Sequence, residues 1–383
     1  MAQPRRLRRK LKVATLVALG VLLLVSLALF SFGVRQLVGL GRPATYRLRM
    51  LTDPVPNRQI LARRIAAEAR KHGLEIELSG RSYSSLQGLS LVNDANEVNL
   101  ALVPGGVGDS AQFPHVRQVA SLGNDALHVM VRDELYEPAT RSLAALRGER
   151  INCGPPASVL RVLAHDVLRF AGLQPPTSSA SGDYTDESVS SQDLLARLDQ
   201  IQALPQPERI RALAELPDAM LFLSPLPSLL ARRLASTAGY RLVALPFTEA
   251  YTIDRLNLQN AEGSAPSEAV DRASIVAITI PPDLYGADPP VPPEPCRTLG
   301  TRLLLVAYAP TDPEAITRLL SIVYESPLYG VIQPPPLGDH VPQFELHPGV
   351  ELYRRRRQPL LTPELLSHLG KLLGGLGAFA SGM

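Results

Sequence analysis

"YRLRMLTDPVPNRQILARRIAAEARKHGLEIEL", residues 46–78, decides the fold class. It opens by alternation: Tyr46, Leu48 and Met50 share one face while Arg47 and Arg49 take the other, as in a strand. "TDPVPN" breaks the run, and "RQILARRIAAEARKHG" then carries the apolar spacing of a helix stopped by Gly73. "LEIEL" at 74–78 alternates again. Strand, helix and strand in such quick succession predict parallel pairing and an α/β layer.

The same grammar runs on. "SGRSYSS" is a polar turn before a short helix around Leu86–Val92, and "VNLALV" at 98–103 is a third strand closed by "PGGVGD". "VRQVASLGNDALHVMVRDE", 116–134, supplies two further strand-like runs. The pattern then restarts with a strand ending at Asn152, a helix over 157–171, "DAMLFL" at 218–223, a helix in "PLPSLLARRLASTAG" and the strand "YRLVALP". Two α/β lobes of similar architecture are expected in series, without an exact repeat. Later, "ASIVAITIPPDLYG" contains a strand, "GADPPVPPEPC" reads as an exposed loop, and the apolar "RTLGTRLLLVAYA" suits a strand returning to the first lobe.

A parallel sheet binds ligands beyond the carboxyl ends of its strands, where loops converge. That rule selects Thr52 and Asp53, then Ser82, Tyr83 and Ser84, then Gly105 and Gly106. In the second lobe it selects "NCGPPAS", with Cys153, Gly154 and Ser158, at the start of the 157–171 helix. Unpaired N–H groups in that first turn favour an anion such as a carboxylate. A nucleophilic Cys153 needs a base within reach, and no motif supplies one, since His165 lies two turns along the helix. There is no nucleophile elbow, phosphate loop or paired-histidine zinc motif, and the 7 histidines are scattered, so neither catalysis, a metal nor a cofactor is expected.

Charge speaks to location. The net +3 of the 383 residues is concentrated in "MAQPRRLRRKLK", whose basic side chains leave the remainder acidic; no basic face for nucleic acid is indicated. "VATLVALGVLLLVSLALFSFGV", residues 13–34, holds no charge and is long enough to span a bilayer core of ~30 Å. Its basic flank should stay cytoplasmic, giving a single-pass anchor in a bacterial inner membrane with the globular part outside; a cleaved signal peptide is the alternative. Cys153 and Cys296 could form one bridge in such a compartment. The C-terminal Leu365, Leu366, Leu369, Leu372, Leu373, Leu376 and Phe379 make an apolar helical stripe.

Several stretches resemble one family. "LRGERINCGPPASVLRVLAHDVLRFAGL" is similar to the second-lobe signature of TAXI-family solute-binding proteins of TRAP transporters. "VNLALVPGG", "ITIPPDLYG", "RTLGTRLLLVAYA" and "FELHPGVELYRRR", with His347, Pro348, Gly349 and Tyr353, follow in the family's order. The resemblance covers roughly residues 46–358. It implies a two-lobed type II periplasmic-binding-protein fold, a hinge of crossing strands, a small organic acid or amino acid in the cleft, and ion-coupled membrane subunits as partners. On this reading 1–12 is a cytoplasmic tail, 13–34 a transmembrane anchor, 46–132 the first part of lobe 1, 133–246 lobe 2, 247–358 the hinge return with the rest of lobe 1, and 359–383 an amphipathic tail. Pro54 and Pro56 depart from the family's Gly-rich first loop and remove backbone donors there. That departure leaves a second reading open, a tethered sensor or interaction module without cargo, beside the remote third of a cysteine-dependent hydrolase. His347 is expected to fix a turn, and Arg354–Arg357 to be a solvated face.

Overall fold

The 46–78 stretch folds as its periodicity predicts. In the computed structural model β1 (Tyr46–Thr52) leads through α1 (Pro56–Lys71) to β2 (Leu74–Ser82). The helix starts two residues before its apolar pattern does, because Pro56 occupies the first turn, where a missing N–H is harmless. Arg58, Ala62, Ile65, Ala66 and Ala69 are its buried residues. The structure describes residues 45–52, 55–94, 98–177, 180–253, 274–339 and 342–357, with Ser26 alone upstream. Apart from Ser26, the 13–34 run lies outside the described residues, as do Asp53 and the 359–383 stripe. No described helix is long and apolar enough to cross a membrane. The chain divides between Tyr46 and Arg47 into two compact units, and both lobes belong to the second.

After β2 come α2 (Ser85–Asn93), β3 (Leu100–Pro104), β4 (Val116–Arg132), α3 (Asp133–Arg141), β5 (Arg150–Asn152), α4 (Val159–Phe170), β6 (Thr185–Glu187), α5 (Ser191–Ala203) and α6 (Glu208–Ala214). β7 (Ala219–Pro225), α7 (Leu229–Thr237), β8 (Tyr240–Leu242), α8 (Thr248–Ile253), β9 (Ile275–Ile280), β10 (Gly286–Ala287), β11 (Pro290–Val291) and β12 (Cys296–Tyr308) follow. α9 (Pro313–Glu325), α10 (Tyr329–Ile332) and α11 (Pro348–Arg357) come last, and a 3-10 turn (Leu143–Leu146) lies between α3 and β5. The proline-rich 286–296 stretch, expected as a plain loop, contains the β10–β11 hairpin.

Strand order establishes two lobes of one design. The first is ordered β2-β1-β3-β12-β4 and the second β6-β5-β7-β4-β8. In each, one inserted strand runs antiparallel to both neighbours: β12 between β3 and β4, and β4 between β7 and β8. This is the two-lobed, periplasmic-binding-protein-like α/β fold that the resemblance implied.

β4 carries the principal correction. The two strand-like runs at 116–134 are a single strand of 17 residues whose start pairs with β12 and whose end pairs with β7 and β8. "LGND" resembles a turn, yet it is where the strand passes from one lobe to the other. β12 crosses beside it, with Gly300, Thr301 and Arg302 opposite Ala126, Asp125 and Asn124. A Cβ at Gly300 would collide with the Asp125 carbonyl oxygen and Ile278 Cδ1, so only glycine permits this approach. The lobe-2 core takes in Ile275, Ile280, Tyr285, Cys296 and Leu299, so the return to lobe 1 is completed within β12. Cys153 and Cys296 are both free and buried; no bridge joins them.

Candidate functional site

Four helix starts meet where the lobes face each other. Val55 precedes α1, Ser84 caps α2, Ser158 caps α4 and Ser190 caps α5, and all four line one cavity with Arg58 and Ser191. Ser158 Oγ accepts from Arg161 N at 3.2 Å and donates to the Pro155 carbonyl at 2.7 Å. Ser190 Oγ likewise accepts from Asp193 N at 3.1 Å. Ser84 forms a capping box with Gln87: its backbone N–H is held by Gln87 Oε1 at 3.2 Å and its Oγ faces the Gln87 N–H, but that buried Oγ has no partner in full hydrogen-bond geometry. Four sets of helix-terminal N–H groups and a ring of hydroxyls make a site that prefers negative charge.

The cavity is small, at about 20 Å³. That is room for one water molecule, whereas organic ligands need several hundred Å³. The lobes touch directly around it. Leu86 N donates to the Ala157 carbonyl at 3.2 Å, Asn57 Nδ2 to the Pro227 carbonyl at 2.6 Å, and Gln59 Nε2 to Gln192 Oε1 at 3.0 Å. Arg58, on the first turn of α1, points inward and meets Asp125 of β4, the strand shared by both lobes. The sequence reading did not single out Arg58, although it stands four and seven residues before the buried Ala62 and Ile65 and so shares their face of the helix.

The sequence-selected residues divide. Ser84 and Ser158, 74 residues apart in the chain, come together in the cavity wall. Thr52 ends β1, where its N–H donates to Ser79 Oγ at 2.9 Å, and its carbonyl accepts from Tyr83 N at 3.1 Å. Tyr83 packs half-buried against the lobe-1 core. Ser82 closes β2. Gly105 N donates to the Arg302 carbonyl at 2.7 Å and Gly106 N to Gln343 Oε1 at 2.9 Å, so both backbone donors are used inside the protein. Gln343 lies 237 residues from Gly106, beyond reach of any local pattern. Gly154 has φ +82° and its Cβ position is filled by Leu160, which makes it a turn residue.

Cys153 lies beneath the loop and does not line the cavity. It is fully buried, and burial together with the neighbouring Asp186 carboxylate pushes its thiol well above its ordinary pKa. His165, set aside on sequence as too far along the helix, has a ring nitrogen within 4.8 Å of this thiol, and its Nε2 lies 2.8 Å from Asp186 Oδ2 of β6. The parallel β5–β6 pairing, with Ile151 opposite Asp186, creates that meeting. His347 fixes a turn as expected: its Nδ1 accepts from Gly349 N at 3.1 Å, and its carbonyl accepts from Val350 N at 2.8 Å.

No protein-family model matches the chain, and no curated protein is similar to it. Solved structures are distantly similar. The BenM effector binding domain with its effector benzoate is 13% identical with a TM-score of 0.40, over 78% of this chain and 100% of that one. A Salmonella typhimurium periplasmic binding protein with high arginine specificity is 10% identical, TM-score 0.40, over 75% and 97%. The substrate binding protein of an amino acid ABC transporter is 8% identical, TM-score 0.40, over 75% and 96%. With TM-scores this low, the two-lobed fold rests on strand order and pairing.

Proposed function

We propose that the protein is a non-catalytic, extracytoplasmic receptor whose lobes part to admit a small organic anion or amino acid and close over it. One observation carries the reading: helices from both lobes aim their N-termini into one cavity whose wall includes the unpartnered Ser84 hydroxyl. Binding needs only a hinge and a shift of population toward the closed form. β4 and β12, crossing side by side, are that hinge. Catalysis is no part of the proposal, because the one thiol near the loop is sealed and held protonated.

The receptor reading extends to location and partner. The uncharged 13–34 run behind a basic tail supports a membrane anchor with the lobes on the outer side. The ordered resemblance to TAXI proteins supports delivery to TRAP-type membrane subunits. A second reading draws on the size of the cavity: with Arg58 inside it and about 20 Å³ left, the fold could serve as a tethered sensor or docking module that keeps its lobes shut.

Thermal unfolding of the full-length protein against small carboxylates and amino acids separates the two. A ligand at a hundredfold over its Kd stabilises by about 2.7 kcal/mol. Stabilisation that is lost in Ser84→Ala supports the receptor. A flat response across the panel, with no change in scattering radius, supports the closed module.

A further inference from the structure

Beneath the Ser158 loop lies a cluster that the receptor reading leaves unused. Cys153 Sγ, a ring nitrogen of His165 and a carboxylate oxygen of Asp186 all lie within 4.8 Å of one another. They reach this point from three directions: Cys153 just follows β5, Asp186 is the middle residue of β6, and His165 projects from α4. Asp186 Oδ2 accepts from the Arg161 guanidinium and lies 2.8 Å from His165 Nε2. The other oxygen, Oδ1, is buried without a hydrogen-bond partner on a side chain only 3% exposed.

An Arg–Asp–His ion-pair network explains Oδ2 alone. It leaves Oδ1 with no donor beyond the neighbouring Cys153 thiol, a weak one and poor compensation for a buried carboxylate oxygen. A soft sulfur, an imidazole and a free carboxylate oxygen together form a donor set that suits Zn²⁺ and similar ions and is foreign to Mg²⁺ or Ca²⁺.

We propose that Cys153, His165 and Asp186 form a binding site for one divalent transition-metal ion of the zinc class. Asp186 Oδ1, Cys153 Sγ and a ring nitrogen of His165 are the protein ligands, and water completes a tetrahedron. Arg161 stays on Oδ2 as the outer partner that orients the carboxylate. On binding, the Cys153 S–H bond breaks, the thiolate electron pair goes to the metal and the proton goes to solvent. His165 and Arg161, with side chains 21% and 25% exposed, form the route in. The site is independent of the anion cavity, so failure to find an organic ligand leaves it standing.

The test is titration of the full-length protein with Co²⁺, followed by displacement with Zn²⁺. One Co²⁺ per chain, with a near-ultraviolet thiolate-to-cobalt charge-transfer band, is expected. Calorimetry in two buffers of different ionisation enthalpy should show release of about one proton per ion. Cys153→Ser removes the band. His165→Gln keeps an amide able to donate to Asp186, so it should fold, and it weakens Zn²⁺ by about tenfold or more. Asp186→Asn does the same and decides the matter with His165→Gln if Cys153→Ser does not fold. Absence of the band in the parent protein, its persistence in Cys153→Ser, or unchanged Zn²⁺ affinity in His165→Gln would each overturn the proposal.

Discussion

Arg58 Nε donates to Asp125 Oδ2 at 2.7 Å and Arg58 Nη2 reaches the same oxygen at 2.5 Å, with the two side chains 3% and 0% exposed. The pair ties the first turn of a lobe-1 helix to the strand that both lobes share. Burying it is expensive, but breaking it is more so, because a buried guanidinium would then lose its carboxylate counter-charge. Asp125→Asn should therefore lower the unfolding free energy in urea by about 3 kcal/mol, and Arg58→Met/Asp125→Leu together should recover most of that loss. A single-mutant cost below about 1 kcal/mol would show that the pair does not hold the lobes to the hinge.

The two cavity serines should behave oppositely in stability and alike in binding. Ser158 Oγ caps α4 through Arg161 N, so Ser158→Ala should cost about 1 kcal/mol. Ser84 Oγ is buried and unpartnered, so Ser84→Ala should cost nothing or stabilise slightly in ligand-free protein. If the cavity takes an anion, both variants weaken it. Equal destabilisation by the two changes would mean that the Ser84 hydroxyl bonds the Gln87 N–H as firmly as Ser158 bonds Arg161 N, which removes the reason to assign it to a ligand.

Much of this could be read from residue order, and the rest fails for a common physical reason. Alternation in "YRLRML" and the i, i+3, i+4 spacing after it depend on local burial, which a sequence displays. N-caps such as Ser158 are equally local. What sequence hides is register between distant segments. Arg58 meets Asp125 across 67 residues, Gln343 closes off the Gly106 N–H across 237, and Asp186 meets His165 only because β6 lies parallel to β5. The polar "GND" within β4 has the composition of a turn, and only its pairing with β12 shows it to be the crossing between lobes.

Two buried histidines make the fold acid-sensitive. Burial lowers His128 to about 4, and its ring stacks on Phe222 at 4.9 Å with Nε2 2.5 Å from the Tyr285 hydroxyl. Burial likewise lowers His347 to about 4. The unfolded chain, with histidines near the ordinary value of about 6.5, therefore binds protons that the folded chain refuses between those limits. Stability is complete above about pH 6.5 and falls as pH drops toward 4, by up to about 3 kcal/mol for each histidine. Ring-proton NMR should show His128 neutral at pH 5; protonated His128 at that pH would refute the assignment.

Gly154 connects the anion-facing loop to the sheet, and its replacement should cost more than left-handed backbone alone explains. Its φ is +82°, and an added Cβ would collide with Leu160 Cδ2. Gly172 is the control, with φ +85° and nothing within 4 Å of its Cβ position. Gly172→Ala should lose about 1–2 kcal/mol from backbone strain. Gly154→Ala adds the displacement of Leu160 from a packed core, a further 1–3 kcal/mol or so. Because the loop carries Ser158 to the cavity on one side and Cys153 to the metal-ligand cluster on the other, Gly154→Ala should also weaken whatever each side binds. Urea denaturation of the two variants gives the comparison. Equal losses would mean that Leu160 yields freely, and that the loop owes its shape to Ser158 and Arg161 and not to packing beneath it.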